Sequence, residues 1–400
     1  MARVYLDYNA TTPVDPQVVE VLVPYLSDVF GNASSSYALG VEAKHAVENA
    51  RAQVARMLGS TARSDEILFL SGGTESINYA LKGSAEVAKQ QSGRNHIITS
   101  VTEHVAVLET CRFLETQGFQ VTYLDVDQFG RTSVEDVIQA VTPSTFMVSI
   151  MHANNEVGTL NPIAEISQAL KQHARENQLL PILLHTDASQ SIGKVKVDVE
   201  ELGVDFLTIA GHKLYAPKGI GALYIRNGTP LPAVLVHGAS HESGRRAGTE
   251  NVPFDVALGK ACALIHDNLS QYAEHMQQSK RFLLERLQQL LAPTDVKFQV
   301  NGHPDHALPN TLSISFWNIS AVKLLKLIEA DGVCASAGSA CHSHSADDSD
   351  AKISHVLAAM RIPREFALGT LRLSVGRHTT QEELVLAADA IHNAILQQLV

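Results

Sequence analysis

Residues 181–228 read PILLHTDASQSIGKVKVDVEELGVDFLTIAGHKLYAPKGIGALYIRNG. PILLH, DFLTI and GALYI are short runs, apolar at nearly every position rather than at every second one. Such runs read as strands covered on both faces. The first two stop at small polar segments, TDASQ and AGHK. The stretch therefore predicts neighbouring buried strands that each deliver polar residues at their carboxyl ends.

The same grammar extends toward the start of the chain. EILFLSG, HIITS, FQVTYLDV and TFMVSIMHA read as further strands, and DFLTIAGHKLY as strand throughout. TESINYALKGSAEVAKQ, EHVAVLETCRFLETQ and IAEISQALKQHARENQ carry helical periodicity between them. Seven strands separated by amphipathic helices predict an α/β fold with a mostly parallel sheet. From about Pro253 the pattern changes. A long helix is expected over roughly Phe254 to Leu291. Beyond it NTLSISF, VCASAG and TLRLSVG are short strands between helices, the pattern of a smaller α+β domain.

The bulk composition narrows the functional classes. The 400 residues carry a formal net charge of −11, which gives no basic footprint for nucleic acid or an anionic membrane surface. No apolar run approaches the ~20 residues needed to span a bilayer. The opening MARVYLDYNATTP has no signal-peptide pattern. Cys111, Cys262, Cys334 and Cys341 are scattered without CxxC or metal-ligand spacing. Reduced thiols in a cytoplasmic protein, with no metal site, are the expectation.

In open α/β sheets ligands bind at the carboxyl ends of the strands. There the sequence places SGGTES, VTEH, HANNE, TDASQ and AGHK, which bring Thr74, His104, Asn155, Asp187, Gln190, His212 and Lys213 to one edge. Each has an ordinary reading. Gly73 and Thr74 could form a turn and helix cap or cradle a phosphate. His104 and Asp187 could cap helices. Lys213 could be a solvated loop charge. Together, a lysine able to form a Schiff base, an aspartate and a phosphate cradle describe a pyridoxal 5'-phosphate site. Arg372, in the smaller domain, could clamp a carboxylate with two hydrogen bonds or serve a structural ion pair.

The ordered series YLDYNATTPVDP, SGGTES, TEHVAVL, MHANNEVG, HTDASQSIGK, GHKLYAPKGIGALYIR, RRAGTEN, GSACHS and TLRLSVGRHTT runs the length of the chain. It resembles the NifS/IscS-type cysteine desulfurases and the related selenocysteine lyases, within the fold-type I pyridoxal-phosphate enzymes of the class V aminotransferase family. The resemblance implies a large cofactor-binding domain over 16–253. Residues 1–15 and 254–400 would form a small domain, with a mobile cysteine loop at about 338–352. It implies that Lys213 carries the cofactor, Asp187 faces the pyridine nitrogen, Gln190 meets the ring hydroxyl and His104 stacks on the ring. Gly73, Thr74 and His212 would hold the phosphate, completed by Thr249 from the other subunit of a homodimer. Asn9, Asn155 and Arg372 would bind the substrate. The implied activity converts L-cysteine to L-alanine and leaves a persulfide on Cys341 for a protein sulfur acceptor.

Cys341 lies in GSACHSHSADDSD, which has almost no apolar anchor. Alone, that is an incidental surface thiol; under the resemblance, it is a thiol that visits the cofactor and then an acceptor. A metal site in CHSH is a weaker alternative, because a labile segment is a poor preorganised cage. Ala210 stands where the bacterial desulfurases typically carry a phosphate-binding serine, and Thr208 or a backbone group is the expected substitute. HGASHESG replaces a more glycine-rich run. ACHS and VDVEELGVDFLTIAGHK look closer to the selenocysteine lyases, which makes L-selenocysteine the rival substrate. A scaffold that binds cofactor without turnover is the rival of another class, opposed by the intact set of Lys213, Asp187, His104, Arg372 and Cys341.

Overall fold

The computed structural model describes residues 3–337 and 353–399. Its strands are β1 Val4–Tyr5, β2 Ile67–Leu70, β3 His96–Ser100, β4 Gln120–Leu124, β5 Thr145–Ser149, β6 Leu183–Asp187, β7 Phe206–Ala210, β8 Gly221–Ile225, β9 Phe298–Asn301, β10 Thr311–Phe316, β11 Val333–Cys334 and β12 Thr370–Ser374. All seven apolar runs named above form one sheet in the order β2-β8-β7-β6-β5-β3-β4. From β4 to β7 each neighbouring pair is parallel. Only β8 runs against its neighbours β7 and β2. Residues 211–220 are too short for the crossover that a parallel return requires, so the chain comes back antiparallel.

Successive strand residues enter opposite cores, as the period of 2 demands. Phe69, Ile98, Val148, Leu207 and Tyr224 pack on one face of the sheet. Leu68, Ile97, Met147, Phe206 and Leu223 pack on the other. The first face is covered by the helices Ala38–Met57 and Val252–Leu291. These cross closely at Gly259, where a Cβ would come within 2.6 Å of the Ala50 Cα. The second face is covered by Val105–Thr116 and the helical run that follows β2.

That run differs from the continuous α-helix expected of TESINYALKGSAEVAKQ. A π turn at Tyr79–Gly83 separates Gly73–Asn78 from Ser84–Ser92. The hydrophobic pattern carries no signal for it. DFLTIAGHKLY is likewise strand only as far as Ala210, and Gly211–Lys213 forms a 3-10 turn. A Cβ at Gly211 would sit 2.7 Å from the Ile220 carbonyl oxygen, so the backbone turns where that close approach is possible.

The long helix belongs to two cores. Val252, Ala257, Ala261 and Ile265 pack against the large sheet. Met276, Leu283, Leu287 and Leu291 pack with β10 and β12 in a second core. There β9, β10 and β12 form an antiparallel sheet of order β12-β10-β9, while β1 pairs with β11. Among the described residues no helix is long and apolar enough to cross a membrane.

Candidate active site

The carboxyl ends of the parallel strands open onto a cavity of about 230 Å³. It is lined by Asn9, Gly73, Thr74, His104, Asn155, Asp187, Gln190, His212, Lys213 and Arg372, together with Ile77, Met151, Ala153, Ser189 and Ala210. Residues from five strand ends, from the segment after β1 and from β12 thus meet in one space. Thr249 is exposed and does not line the cavity. Cys341 lies outside the described residues.

The floor is built on Asn9. Its backbone carbonyl accepts hydrogen bonds from Lys213 Nζ at 2.5 Å and Gln190 Nε2 at 3.0 Å. The Ala10 carbonyl accepts from Lys213 Nζ at 2.9 Å. The Asn9 side chain donates to Thr311 Oγ1 at 2.8 Å and the Asn155 carbonyl at 3.3 Å. Its Oδ1 accepts from Lys194 Nζ at 3.1 Å and Asn310 Nδ2 at 3.0 Å. Both amide hydrogens and both oxygen lone pairs are thereby engaged. Asn9 shapes the floor with a side chain spent on protein partners, rather than extending it to a substrate as the resemblance implied.

Lys194 carries no signal in the sequence that sets it apart. It is buried and donates to Gln190 Oε1 at 2.7 Å as well as to Asn9. Burial, reinforced by Lys213 and Arg372, holds its pKa well below the ordinary lysine value. A neutral amine has two N–H bonds, and two acceptors are present.

Asp187 ends β6, and its Oδ1 accepts the Ser189 N–H at 2.9 Å. His104 stands opposite as the cap of Val105–Thr116. Its Nδ1 accepts the Ala106 N–H at 3.1 Å, which fixes the neutral ring's proton on Nε2. Burial lowers the pKa of His104; Asp187 pulls it back up, and Lys213 and His355 push it down. His212 is held down to about 4 by burial, then by Lys213, Lys218 and His104. Its Nδ1 lies 3.1 Å from Thr11 Oγ1.

Arg372 is only 2% exposed. Its Nη2 donates to Asp7 at 2.6 Å and its Nη1 to the Asn155 carbonyl at 3.1 Å. Its Nε has no partner among the described residues. Arg372 lines the cavity, and each Nη keeps one hydrogen beyond these bonds, which suits an incoming anion. Glu103 lies behind His104. Burial, with Asp187 adding, raises its pKa well above the usual carboxylate value, and its Oε1 accepts the Met151 N–H at 2.8 Å.

Thr208, expected to replace the hydroxyl lacking at Ala210, does not do so. Its Oγ1 lies 3.0 Å from His185 Nε2, whose Nδ1 is 2.8 Å from Ser149 Oγ. The three form a buried chain behind Asp187.

The cavity fits pyridoxal 5'-phosphate. Gly72, at φ 155° and ψ −177°, occupies backbone space open essentially to glycine. A Cβ at Gly73 would come within 3.2 Å of the Ala210 Cβ, so a larger residue would intrude on the cradle. Amine, carboxylate and imidazole then share one cavity beyond it.

The described residues on either side of 338–352 contact Arg372 and the sequence neighbours of Asn155 and His104. Ser336 bridges Arg372 in antiparallel fashion. Ser354 donates to Glu156, and His355 Nε2 lies 3.2 Å from the Glu103 carbonyl oxygen.

Comparison with known proteins agrees with this arrangement. Residues 4–386 match the family model for class V aminotransferases. A Methanosarcina thermophila protein named cysteine desulfurase IscS is 46% identical over 381 residues, 95% of this chain and 89% of the relative. The solved structure of a NifS-like protein superposes with a TM-score of 0.89 at 36% identity, covering 100% of both chains. That of SspA in complex with cysteine gives a TM-score of 0.78 at 35% identity, over 95% of this chain and 100% of the other. On the match along nearly its whole length, this chain belongs to the class V aminotransferase family, with NifS-like and IscS-type cysteine desulfurases among its relatives.

Proposed function

We propose that the protein is a pyridoxal-phosphate-dependent cysteine desulfurase that converts L-cysteine to L-alanine and keeps the sulfur as a persulfide on Cys341. The observation that carries the reading is the convergence of Lys213, Asp187, His104 and Arg372 on one cavity. The relatives' names and the cysteine complex of SspA support the substrate.

Lys213 would hold the cofactor covalently, Asp187 would face its ring nitrogen, His104 its ring face and Gln190 its hydroxyl, while Thr74 and His212 would meet its phosphate. Pyridoxal phosphate supplies an electron sink that weakens bonds at the substrate's α-carbon. Lys213 Nζ, which donates to the Asn9 and Ala10 carbonyls, would move a proton there. His104 Nε2 carries the second movable proton. Arg372 receives the substrate carboxylate with donors that Asp7 and Asn155 leave free. Ile77, Met151 and Ala153 limit water on the apolar side.

Chemistry and chain length support the thiol assignment. Cys111 and Cys262 are buried; burial raises the Cys111 pKa to about 12 and pushes that of Cys262 upward as well, so neither supplies a ready thiolate. Cys341 follows Ser336 by five positions, a reach of at most ~18 Å from the strand bridge to Arg372. In balance, L-cysteine plus the Cys341 thiol gives L-alanine plus the Cys341 persulfide, and a protein acceptor would then take the outer sulfur.

The exposed position of Thr249 supports a homodimer in which this residue completes the partner's phosphate site. Exposed apolar side chains offer a surface for it: Val23 is 50% exposed, Leu26 60% and Phe30 70%.

Single-turnover mass spectrometry with L-cysteine tests the reading. Persulfide on Cys341 in step with alanine is expected, and Lys213→Ala should yield neither. A persulfide confined to Cys111, Cys262 or Cys334 would overturn the thiol assignment, and alanine formation by Lys213→Ala would overturn the function.

A further inference from the structure

The phosphate end of the cavity is short of hydroxyl groups. A Cβ placed on Gly73 would lie 3.2 Å from the Ala210 Cβ, 3.4 Å from Ser189 Oγ and 3.7 Å from Thr208 Cγ2. Three side chains therefore converge on the glycine of the cradle. Ala210 offers only a methyl group. Thr208 also turns its methyl group to the cradle, because its hydroxyl is engaged by His185 at 3.0 Å. Ser189 alone of the three turns an oxygen toward it. Among the described residues the Ser189 hydroxyl makes no hydrogen bond, while its backbone N–H is tied to Asp187 Oδ1 at 2.9 Å. The backbone is fixed and the side chain is left unspent, facing the cavity that it lines.

A phosphate dianion presents three terminal oxygens that need donors. His212 has one ring nitrogen occupied near Thr11 Oγ1, at 3.1 Å, and so brings at most one donor. Thr74 brings a second side-chain donor and, in the proposed homodimer, Thr249 of the partner subunit a third; each phosphate oxygen accepts more than one hydrogen bond, so room remains for a further donor. We propose that Ser189 is a cofactor-binding residue whose hydroxyl donates to the phosphate, supplying the contact that Ala210 and Thr208 cannot make. The turn TDAS that places the carboxylate of Asp187 then also places a phosphate donor two residues later, so that one turn serves both ends of the ring system.

This rests on reading the cavity as a pyridoxal 5'-phosphate site, and the test separates the two ideas. The apo-protein is titrated with pyridoxal 5'-phosphate and with pyridoxal, which lacks the phosphate, and the ³¹P resonance of the bound cofactor is recorded. Wild type should bind the phosphorylated form far more tightly. Ser189→Ala should weaken that form about 10- to 100-fold, the range of one hydrogen bond to a charged group. It should leave pyridoxal within about 2-fold, a margin well inside the tenfold that 1.4 kcal/mol represents. It should also move the ³¹P resonance. The double variant Ser189→Ala with Ala210→Ser should recover most of the loss, because it returns a hydroxyl to the same cradle. Unchanged affinity in Ser189→Ala, or equal weakening of both ligands, would overturn the assignment. A wild-type protein that binds the two forms equally would instead overturn the cofactor reading beneath it.

Discussion

Replacing Arg372 by lysine keeps a positive charge and removes the fork. Arg372 donates to Asp7 and to the Asn155 carbonyl, with the remaining Nη hydrogens left for a ligand. A lysine ammonium has three hydrogens on one nitrogen. Two of them can satisfy Asp7 and Asn155, and one remains, so a substrate carboxylate exchanges two parallel contacts for a single one. A hydrogen bond between charged groups is worth ~1.5–3 kcal/mol. At ~1.4 kcal/mol per factor of ten, that is about 10- to 150-fold in kcat/KM, carried mainly by KM. The backbone at this position also pairs with Ser313 and Ser336, and lysine leaves those bonds intact. The assay is steady-state alanine formation from L-cysteine, compared with turnover of cysteamine, which lacks the carboxylate. Wild type should prefer cysteine strongly, and Arg372→Lys should lose most of that preference without becoming worse on cysteamine. A variant with native circular dichroism that discriminates as wild type does would show that Arg372 does not bind the carboxylate.

Lys194 gives a test of charge state. Lys194→Met should lower stability by roughly 2 kcal/mol, since it leaves Gln190 Oε1 buried without its donor. Lys194→Arg should be worse, because a guanidinium cannot shed its proton; urea midpoints at pH 7 measure both, and an arginine variant as stable as wild type would show that the site accepts a cation. Acid should weaken the fold through His152 and His185, each held down to about 4 by burial. Both are neutral in the folded protein but take up protons below ~6.5 when unfolded, so the unfolded state binds more protons in that window. The stability they contribute is complete above ~6.5 and falls as pH drops to 4, by about 3 kcal/mol each. Denaturant titrations between pH 7 and 4.5 should show the decline, and His185→Gln should flatten it; an unchanged slope would rule His185 out.

Much of the architecture was legible because β2, β3, β5 and β7 place buried apolar residues on both faces, and such strands lie inside a covered sheet. The edge residues were legible for the same reason: polar groups that directly follow those strands gather at one rim. Other features depend on partners distant in sequence. Lys194 looks like a solvated lysine until Asn9, 185 positions away, lies against it. Nothing local to Asn9 shows that its side chain is fully engaged, because Asn310 and Thr311 reach it from 301 and 302 positions away. Thr208 was expected to offer a hydroxyl, yet the register of β6 beside β7 gives that hydroxyl to His185. The π turn and the 3-10 turn at Lys213 are set by backbone packing, which hydrophobic periodicity does not encode.

The floor of the cavity also joins the first residues of the chain to some of the last to be synthesised. The Asn9 N–H is bound by Ser374 Oγ at 2.9 Å, across 365 positions of the chain. At ~5–20 residues per second, translation takes roughly 20–70 s to cover that distance. Until then Asn9 lacks this tie, even though Lys213 and Asp187 have already left the peptidyl-transfer centre. A nascent chain released before Ser374 would therefore carry the reactive lysine on a floor missing that bond and without Arg372 beside it. Cofactor retention becomes a property of the completed polypeptide, and protein truncated within β12 should be recovered in the apo form however much pyridoxal phosphate the cell contains.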